Sequence, residues 1–248
     1  MPDRRLLRLR GADTRAFLQD LVTSDVTRLD AGLVYAALLT PQGKYLADFF
    51  LVPDGDAVLI DVAAALGDTL AQRLAMYRLR RKIDIEEAPR HLHRGTGAVP
   101  DDGFADPRDP ALGWRAYRAA PQTDDATNWD ALRVAHIIPE TGIELTPETY
   151  ILEAGFERLS GVDFRKGCYV GQEVTARMKH KTELRKGLTR VKVTGDAAPG
   201  TEITRDGKAV GTLYTRAGDA ALAHLRFDRA EGELRAGDAA VDWTGSRT

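Results

Sequence analysis

The segment Arg165-Lys166-Gly167-Cys168-Tyr169-Val170-Gly171-Gln172-Glu173 sets the only cysteine of the chain behind two cations and between two glycines. A thiolate is a nucleophile and a soft metal ligand, and it is stabilised by nearby positive charge and by the N-terminal end of a helix. The residues after Gly171 read QEVTARMKHK, with Glu173 and Arg177 at i,i+4 and Val174, Met178 and Lys181 on neighbouring rows, which predicts a short helix. Cys168 then lies just ahead of that helix, beside Arg165 and Lys166, and this placement makes a reactive thiol physically plausible. The competing reading is a small packed side chain, because free cysteine is among the most often buried residues. A single cysteine excludes an internal disulfide framework and any internal multi-cysteine zinc or iron–sulfur cage. Metal held through sulfur would need ligands from another molecule. His91 and His93 alternate while His180 and His224 stand alone, and no metal-helix spacing such as H-E-x-x-H occurs, so no metal site is expected.

Several elements must position this segment. Asp13 is placed to cap a helix over TRAFLQDLV, where Phe17, Leu18, Leu21 and Val22 share one face. LVYAALLTPQGKYLADFFLV reads as two strands joined around Pro41-Gln42-Gly43, a hairpin, and a turn at Pro53-Asp54-Gly55-Asp56 leads into the strand AVLIDV. A helix follows with Leu66, Leu70 and Leu74 in step, ending in the basic cluster YRLRRK, and KIDIEEA then alternates like a strand. Residues 88–130 are rich in Pro, Gly, Asp and Arg and predict a loop-rich edge with one strand around Trp114 to Tyr117. A helical pattern returns from Trp129 to Ala135. Beyond Lys186, short alternating strands punctuated by Gly-Asp, Asp-Gly and Pro-Gly predict a small β-barrel or sandwich. The class is α+β, with residues 1–184 forming one region of two α+β lobes and residues 185–248 a C-terminal β-barrel domain.

At 248 residues the chain can bury a substantial core, and 43% hydrophobic with 29% charged content is ordinary for a globular protein. A formal charge of -2 gives no global basic field, so direct nucleic-acid binding is not expected. No apolar run approaches the roughly 20 residues that cross a bilayer, and MPDRRLLRLRGAD lacks the apolar core of a signal peptide. No membrane contact, a cytoplasmic location and a monomer are the expectations.

The spelling KGCYVGQE resembles the signature of the YgfZ family of folate-binding proteins, relatives of the glycine-cleavage T-protein, an aminomethyltransferase. YILEAGFERLSGVDF resembles the family's lead-in to that motif, and FLQDLVTSDV, LLTPQGKYLADFFLV, DPRDPALGWR and LRVAHIIPETG resemble family segments in the expected order. The resemblance spans nearly the whole chain. It implies a three-lobed T-protein architecture and a cavity for tetrahydrofolate or a one-carbon derivative. It also implies a role in assembly or repair of iron–sulfur clusters, with iron–sulfur assembly proteins or client iron–sulfur enzymes as partners, including radical enzymes that modify tRNA. In that role Lys166, Gly167, Cys168, Tyr169, Gly171, Gln172 and Glu173 form the motif, and Cys168 is its thiol. Its task could be a transient bond to iron, attack on a mixed disulfide, or a redox-sensitive contact.

One departure bears on catalysis. The T-protein carries neighbouring aspartates after a paired glycine in its second strand, whereas here the stretch is Gly43-Lys44-Tyr45-Leu46-Ala47-Asp48, with both pairs broken and Asp48 retained. Aminomethyl transfer needs a carboxylate for proton handling and charge stabilisation. Asp48 is therefore the candidate for a folate-dependent transferase, the competing function, and a partner-binding scaffold with a packed Cys168 is the third. A folate pocket calls for a flat apolar slot and cations for the glutamate tail. Lys44, Arg108, Trp114, Arg115 and Arg133 are the candidates.

Overall fold

The computed structural model describes residues 3–180 and 184–245, so Lys181 of the expected motif helix lies outside the described residues. The chain divides into two compact units, Met1–Thr127 with Glu157–Val174, and Asn128–Phe156 with Thr175–Thr248. Both are discontinuous, which differs from a single division near Leu184, although the barrel strands themselves begin at Lys186.

The first unit is built on an antiparallel sheet of β1 (Arg4–Arg10), β2 (Val34–Leu39), β3 (Tyr45–Asp54), β4 (Ala57–Ala63) and β5 (Asp84–Glu87), in the order β2-β3-β4-β1-β5. Successive side chains of a strand point to opposite faces. Leu7, Leu9, Val34, Ala36, Leu38, Phe49, Leu51, Ile60 and Val62 therefore share one face, where α1 (Thr14–Gln19) and α2 (Ala64–Arg78) add Phe17, Leu18, Leu70 and Leu74. The other face carries Tyr35, Asp48, Phe50 and Asp61, all buried. Burial on both faces explains why β2 reads as a continuous apolar run and β4 as one broken only by Asp61.

Asp13 does not cap α1 through its side chain as the sequence suggested; its carboxylate accepts instead from the Lys82 backbone N–H at 3.0 Å. Residues 88–130 hold more regular structure than expected. β6 (His91–Gly95), β7 (Gly103–Ala105) and β8 (Trp114–Arg118) form a second antiparallel sheet in the order β6-β8-β7.

The second unit contains α3 (Trp129–His136), whose first turn is capped by the Asn128 side chain accepting from Ala131 N–H at 3.0 Å. Its β-structure is a closed antiparallel barrel of β9 (Lys186–Thr194), β10 (Glu202–Arg205), β11 (Lys208–Ala217), β12 (Ala220–Arg226), β13 (Leu234–Ala236) and β14 (Ala239–Asp242), ordered β10-β11-β12-β9-β14-β13. Ile203, Leu213, Ala221, Ala223 and Leu225 fill its core. Closure removes sheet edges that would otherwise present unpaired backbone groups. Among the described residues, no helix is long and apolar enough to cross a membrane.

Candidate functional site: an exposed thiol on a pinned loop

The motif helix forms as expected, α4 spanning Gln172–His180, with Glu173 in its first turn and basic residues in its last, both favourable to the helix dipole. Cys168 precedes it in an irregular segment and is exposed, which settles the packing question against a buried filler. Residues on either side hold that segment down. Lys166 Nζ donates to the backbone carbonyls of Gln19 at 2.6 Å and Val22 at 2.5 Å, at the C-terminal end of α1, and lies 5.0 Å from the Tyr169 ring centre. Burial lowers the Lys166 pKa to about 8, against the pull of Asp25, Asp20 and Asp163, yet at neutral pH the ammonium still carries most of its charge. Arg165 is 92% exposed at its side chain and lies 3.7 Å from Asp163.

Beyond the thiol, Tyr169 is buried and Val170 packs on the first unit's core. Tyr169 N–H donates to Gln172 Oε1 at 3.2 Å while Gln172 N–H donates to Tyr169 O at 3.3 Å, a reciprocal pair that closes the turn into α4. Gly171 adopts φ +83°, and a Cβ there would stand 2.6 Å from Thr40 O and 3.2 Å from Gly43 Cα. Gly43, in the β2–β3 turn, has φ +76°, and a Cβ on it would meet Val174 Cβ at 2.8 Å. The motif glycine and the hairpin glycine thus press backbone against backbone, which no side chain would permit. Gly167, by contrast, faces open space. Lys44 is half-buried, and its backbone exchanges hydrogen bonds with Thr40 across the same turn.

Asp48 sits on the opposite face of β3 from the apolar core and is 5% exposed. Its carboxylate accepts from Tyr45 OH at 2.7 Å and Tyr35 OH at 2.9 Å. Burial, with the Asp48 charge second, pushes the Tyr35 phenol well above its ordinary pKa, so Tyr35 remains a donor.

The arginines expected to meet a folate tail are already neutralised. Arg115, 4% exposed, donates to Asp61 Oδ2 at 2.8 Å and Asp106 Oδ2 at 3.0 Å, with its guanidinium 3.8 Å from the Phe50 ring centre. Arg108 grips Asp106 through two nitrogens at 3.0 and 2.8 Å and lies over the Phe50 and Tyr35 rings. Arg4 and Tyr117 complete the partners of Asp61. Arg133, in the second unit, is 1% exposed and pairs with Glu144 at 2.5 Å and Asp130 at 3.0 Å, with Glu140 3.5 Å away. Trp114 is half-buried on β8 with the Arg118 guanidinium 5.9 Å from its ring centre. Arg115 and Arg133 are buried and the Arg108 side chain is nearly so, and each is paired with carboxylates, as buried charges must be.

Sequence reasoning missed a cavity of about 420 Å³ in the first unit. Tyr35, Phe104, Ser24 and Arg28 are among its walls, and Arg28 has no ion-pair partner among the described residues. The signal available was faint, since Arg28 and Phe104 stand 76 residues apart (104 − 28) with no shared motif. Among the described residues, no group of three metal-binding side chains comes together.

Comparison with known proteins agrees with this architecture. Residues 185–245 match the model of the CAF17 C-terminal beta-barrel domain. The aminomethyltransferase T of the glycine cleavage system from Bartonella henselae superposes with a TM-score of 0.76 over 96% of this chain and 81% of that one, at 14% identity, which establishes the shared fold alone. The chain is 30% identical over 278 residues to the mitochondrial iron–sulfur cluster assembly factor IBA57 of Mus musculus, covering 93% of this chain and 78% of that protein. It is 32% identical over 218 residues to the mitochondrial IBA57 homolog of Pyricularia oryzae, covering 76% of this chain and 55% of that protein. Both relatives are mitochondrial by name, which overturns the expectation of a cytoplasmic protein. On the strength of these likenesses, the chain belongs to the family of the iron–sulfur cluster assembly factor IBA57.

Proposed function

We propose that this chain is an accessory factor in iron–sulfur cluster assembly that presents Cys168 to assembly proteins or client enzymes and binds tetrahydrofolate or a one-carbon derivative. The observation that carries the reading is the exposed thiol on a loop pinned at Lys166, Tyr169 and Gly171. Iron in such clusters is held by several cysteine thiolates, and this chain supplies one. The others come from the partner, so the cluster is cargo passed between molecules. Four-iron enzymes, radical enzymes that modify tRNA among them, are the clients that the YgfZ-like motif suggests. Complementation of a deletion strain tests this. Cys168→Ala is expected to abolish recovery of four-iron enzyme activity at normal protein level, and Asp48→Asn to retain it in proportion to folded protein. Full rescue by Cys168→Ala would sink the proposal.

The transferase alternative needs Asp48 free to handle a substrate proton. Both of its oxygens already take phenolic hydrogen bonds at a site closed to solvent, so the assembly reading is preferred. For folate, the cavity volume falls within the roughly 300–1,000 Å³ of small-ligand pockets. Phe104 offers a face to a pterin, and Arg28 offers the glutamate tail a charge not already spent. Calorimetry is expected to show saturable tetrahydrofolate binding weakened about tenfold or more in Arg28→Ala, the loss of one charge-assisted hydrogen bond. Binding unchanged by that substitution would remove folate from this cavity.

A further inference from the structure

The C-terminal end of α2 projects apolar side chains where a soluble surface ordinarily hides them. Met76 is 66% and Leu79 85% exposed. They stand three residues apart, Met76 in the last turn of the helix and Leu79 just past its end. Leu79 follows the last helical residue with φ +50° and ψ −112°, a backbone region that a leucine rarely adopts. The strained residue is held in place from both sides. Arg78 Nη1 donates to Ile83 O at 2.8 Å, and the Arg81 N–H donates to Arg78 O at 2.9 Å, closing the turn beneath it. Strained, solvent-facing apolar residues persist at sites that serve recognition.

Charge surrounds this knob. Arg73, Arg80 and Lys82 are exposed and their side chains have no partner among the described residues, whereas Arg81 is taken up by Asp20 at 2.5 Å. On a chain of formal charge -2, three unspent cations close in sequence to two bare apolar side chains carry charge opposite in sign to that of the whole. A solvated helix face would explain the cations but not the strained leucine between them.

The position of the knob matters most. Arg81 is tied to Asp20, and its guanidinium lies 5.7 Å from the Phe17 ring centre. The loop bearing Cys168 is tied by Lys166 to the carbonyls of Gln19 and Val22. Both segments are therefore fastened to one turn at the end of α1, with Asp20 and Gln19 adjacent in sequence. We propose that the α2 end is the docking knob for an acidic protein partner, the same molecule that brings its thiolates to Cys168. This rests on the reading of Cys168 given above. Carboxylates of the partner meet Arg73, Arg80 and Lys82, an apolar notch receives Met76 and Leu79, and the shared α1 anchor fixes the spacing to the thiol. Such charge complementarity governs encounter and orientation, while the two apolar side chains supply the buried centre that interfaces require.

The test uses the full chain in its host cell with two probes. A benzophenone amino acid replaces Met76, and a short bismaleimide joins Cys168 to any thiol within reach. Both are expected to link the chain to the same acidic polypeptide. The combined change Arg73→Glu, Arg80→Glu and Lys82→Glu is expected to lower both adducts about tenfold, whereas Arg73→Lys with Arg80→Lys keeps them. Thermal unfolding of both variants is expected to match the parent, since every changed side chain is exposed and unpaired and the backbone N–H that Lys82 gives Asp13 is kept. Adducts indifferent to charge reversal, or a Met76 probe joined to RNA, would overturn the proposal. Binding of phosphatidylserine vesicles that the charge reversal abolishes would reassign the surface to lipid. If Cys168 captures a protein that Met76 does not touch, the knob fails and the assembly role stands. If Met76 captures an acidic protein but Cys168 captures nothing, the shared partner is excluded, and complementation by Cys168→Ala judges the assembly role separately.

Discussion

Arg115→Met is expected to destabilise the protein by about 3–5 kcal/mol, the scale for removing one partner of a buried ion pair. The loss comes less from Arg115 than from what it leaves behind. Asp61 and Asp106 have side chains 0% and 2% exposed, and both lose a guanidinium they face at 3.0 Å or less. Arg4 and Tyr117 still serve Asp61, and Arg108 still serves Asp106, which keeps the figure from rising further. The pH profile adds a second readout. Burial would raise the Asp106 pKa, but the charges and hydrogen bonds of Arg108 and Arg115 reverse this and hold it well below the usual carboxylate range. A carboxylate whose folded pKa is depressed adds stability above its unfolded value, near 3.9, and loses it as pH falls toward the folded value. In Arg115→Met the folded pKa rises, so the stability Asp106 contributes shrinks and acid unfolding begins at higher pH. Urea titrations from pH 7 to pH 3 measure both effects. A loss under about 1 kcal/mol with an unmoved acid limb would mean that the network is not the support described.

Gly171→Ala is expected to remove most of the activity that Cys168 provides without touching the thiol. Positive φ costs a side-chain-bearing residue roughly 1–2 kcal/mol, and overpacking adds roughly 1–3 kcal/mol. The new methyl would sit 2.6 Å from a backbone oxygen, which cannot rotate away as a side chain can. Relief requires the motif to lift off the β2–β3 turn, carrying Cys168 with it. Gly167→Ala is the control, because its Cβ meets open space at ordinary φ. Circular dichroism with complementation separates the outcomes: Gly171→Ala lowers the melting temperature and cluster-enzyme recovery, and Gly167→Ala changes neither. Equal behaviour of the two glycines would refute the packing argument.

These expectations draw on features of uneven visibility in the sequence. β2, β3 and β4 were legible because apolar runs of strand length are broken by Pro41-Gln42-Gly43 and Gly55-Asp56. The barrel strands were legible from alternation broken by turn pairs, as in Lys186–Thr194, where outward and inward residues change places along the strand. β6 and β7 were not, for HLHRG and GFA are short and partly exposed, with no apolar period to read. The fate of the arginines was equally hidden. Arg115 meets Asp61 from 54 residues away, and Arg133 meets Glu144 and Thr215 on separate elements. Spacing reveals a cation but not whether folding has already consumed it. The placement of Cys168 ahead of α4 was legible because Glu173 and Arg177 stand at helical spacing, whereas the contacts that pin its loop join residues far apart in the chain.

The anchoring of the motif also fixes when it can form. Thr23 Oγ1 donates to Gly161 O at 2.6 Å, and Lys166 reaches Gln19, contacts separated by 138 and 147 residues. Contacts of such span close late, since the intervening chain must first lose its freedom. During synthesis α1 waits, its last carbonyls unmet by the lysine, until the thiol segment has left the ribosome. The cysteine and its platform therefore mature together, once residues 161–166 have reached the end of α1.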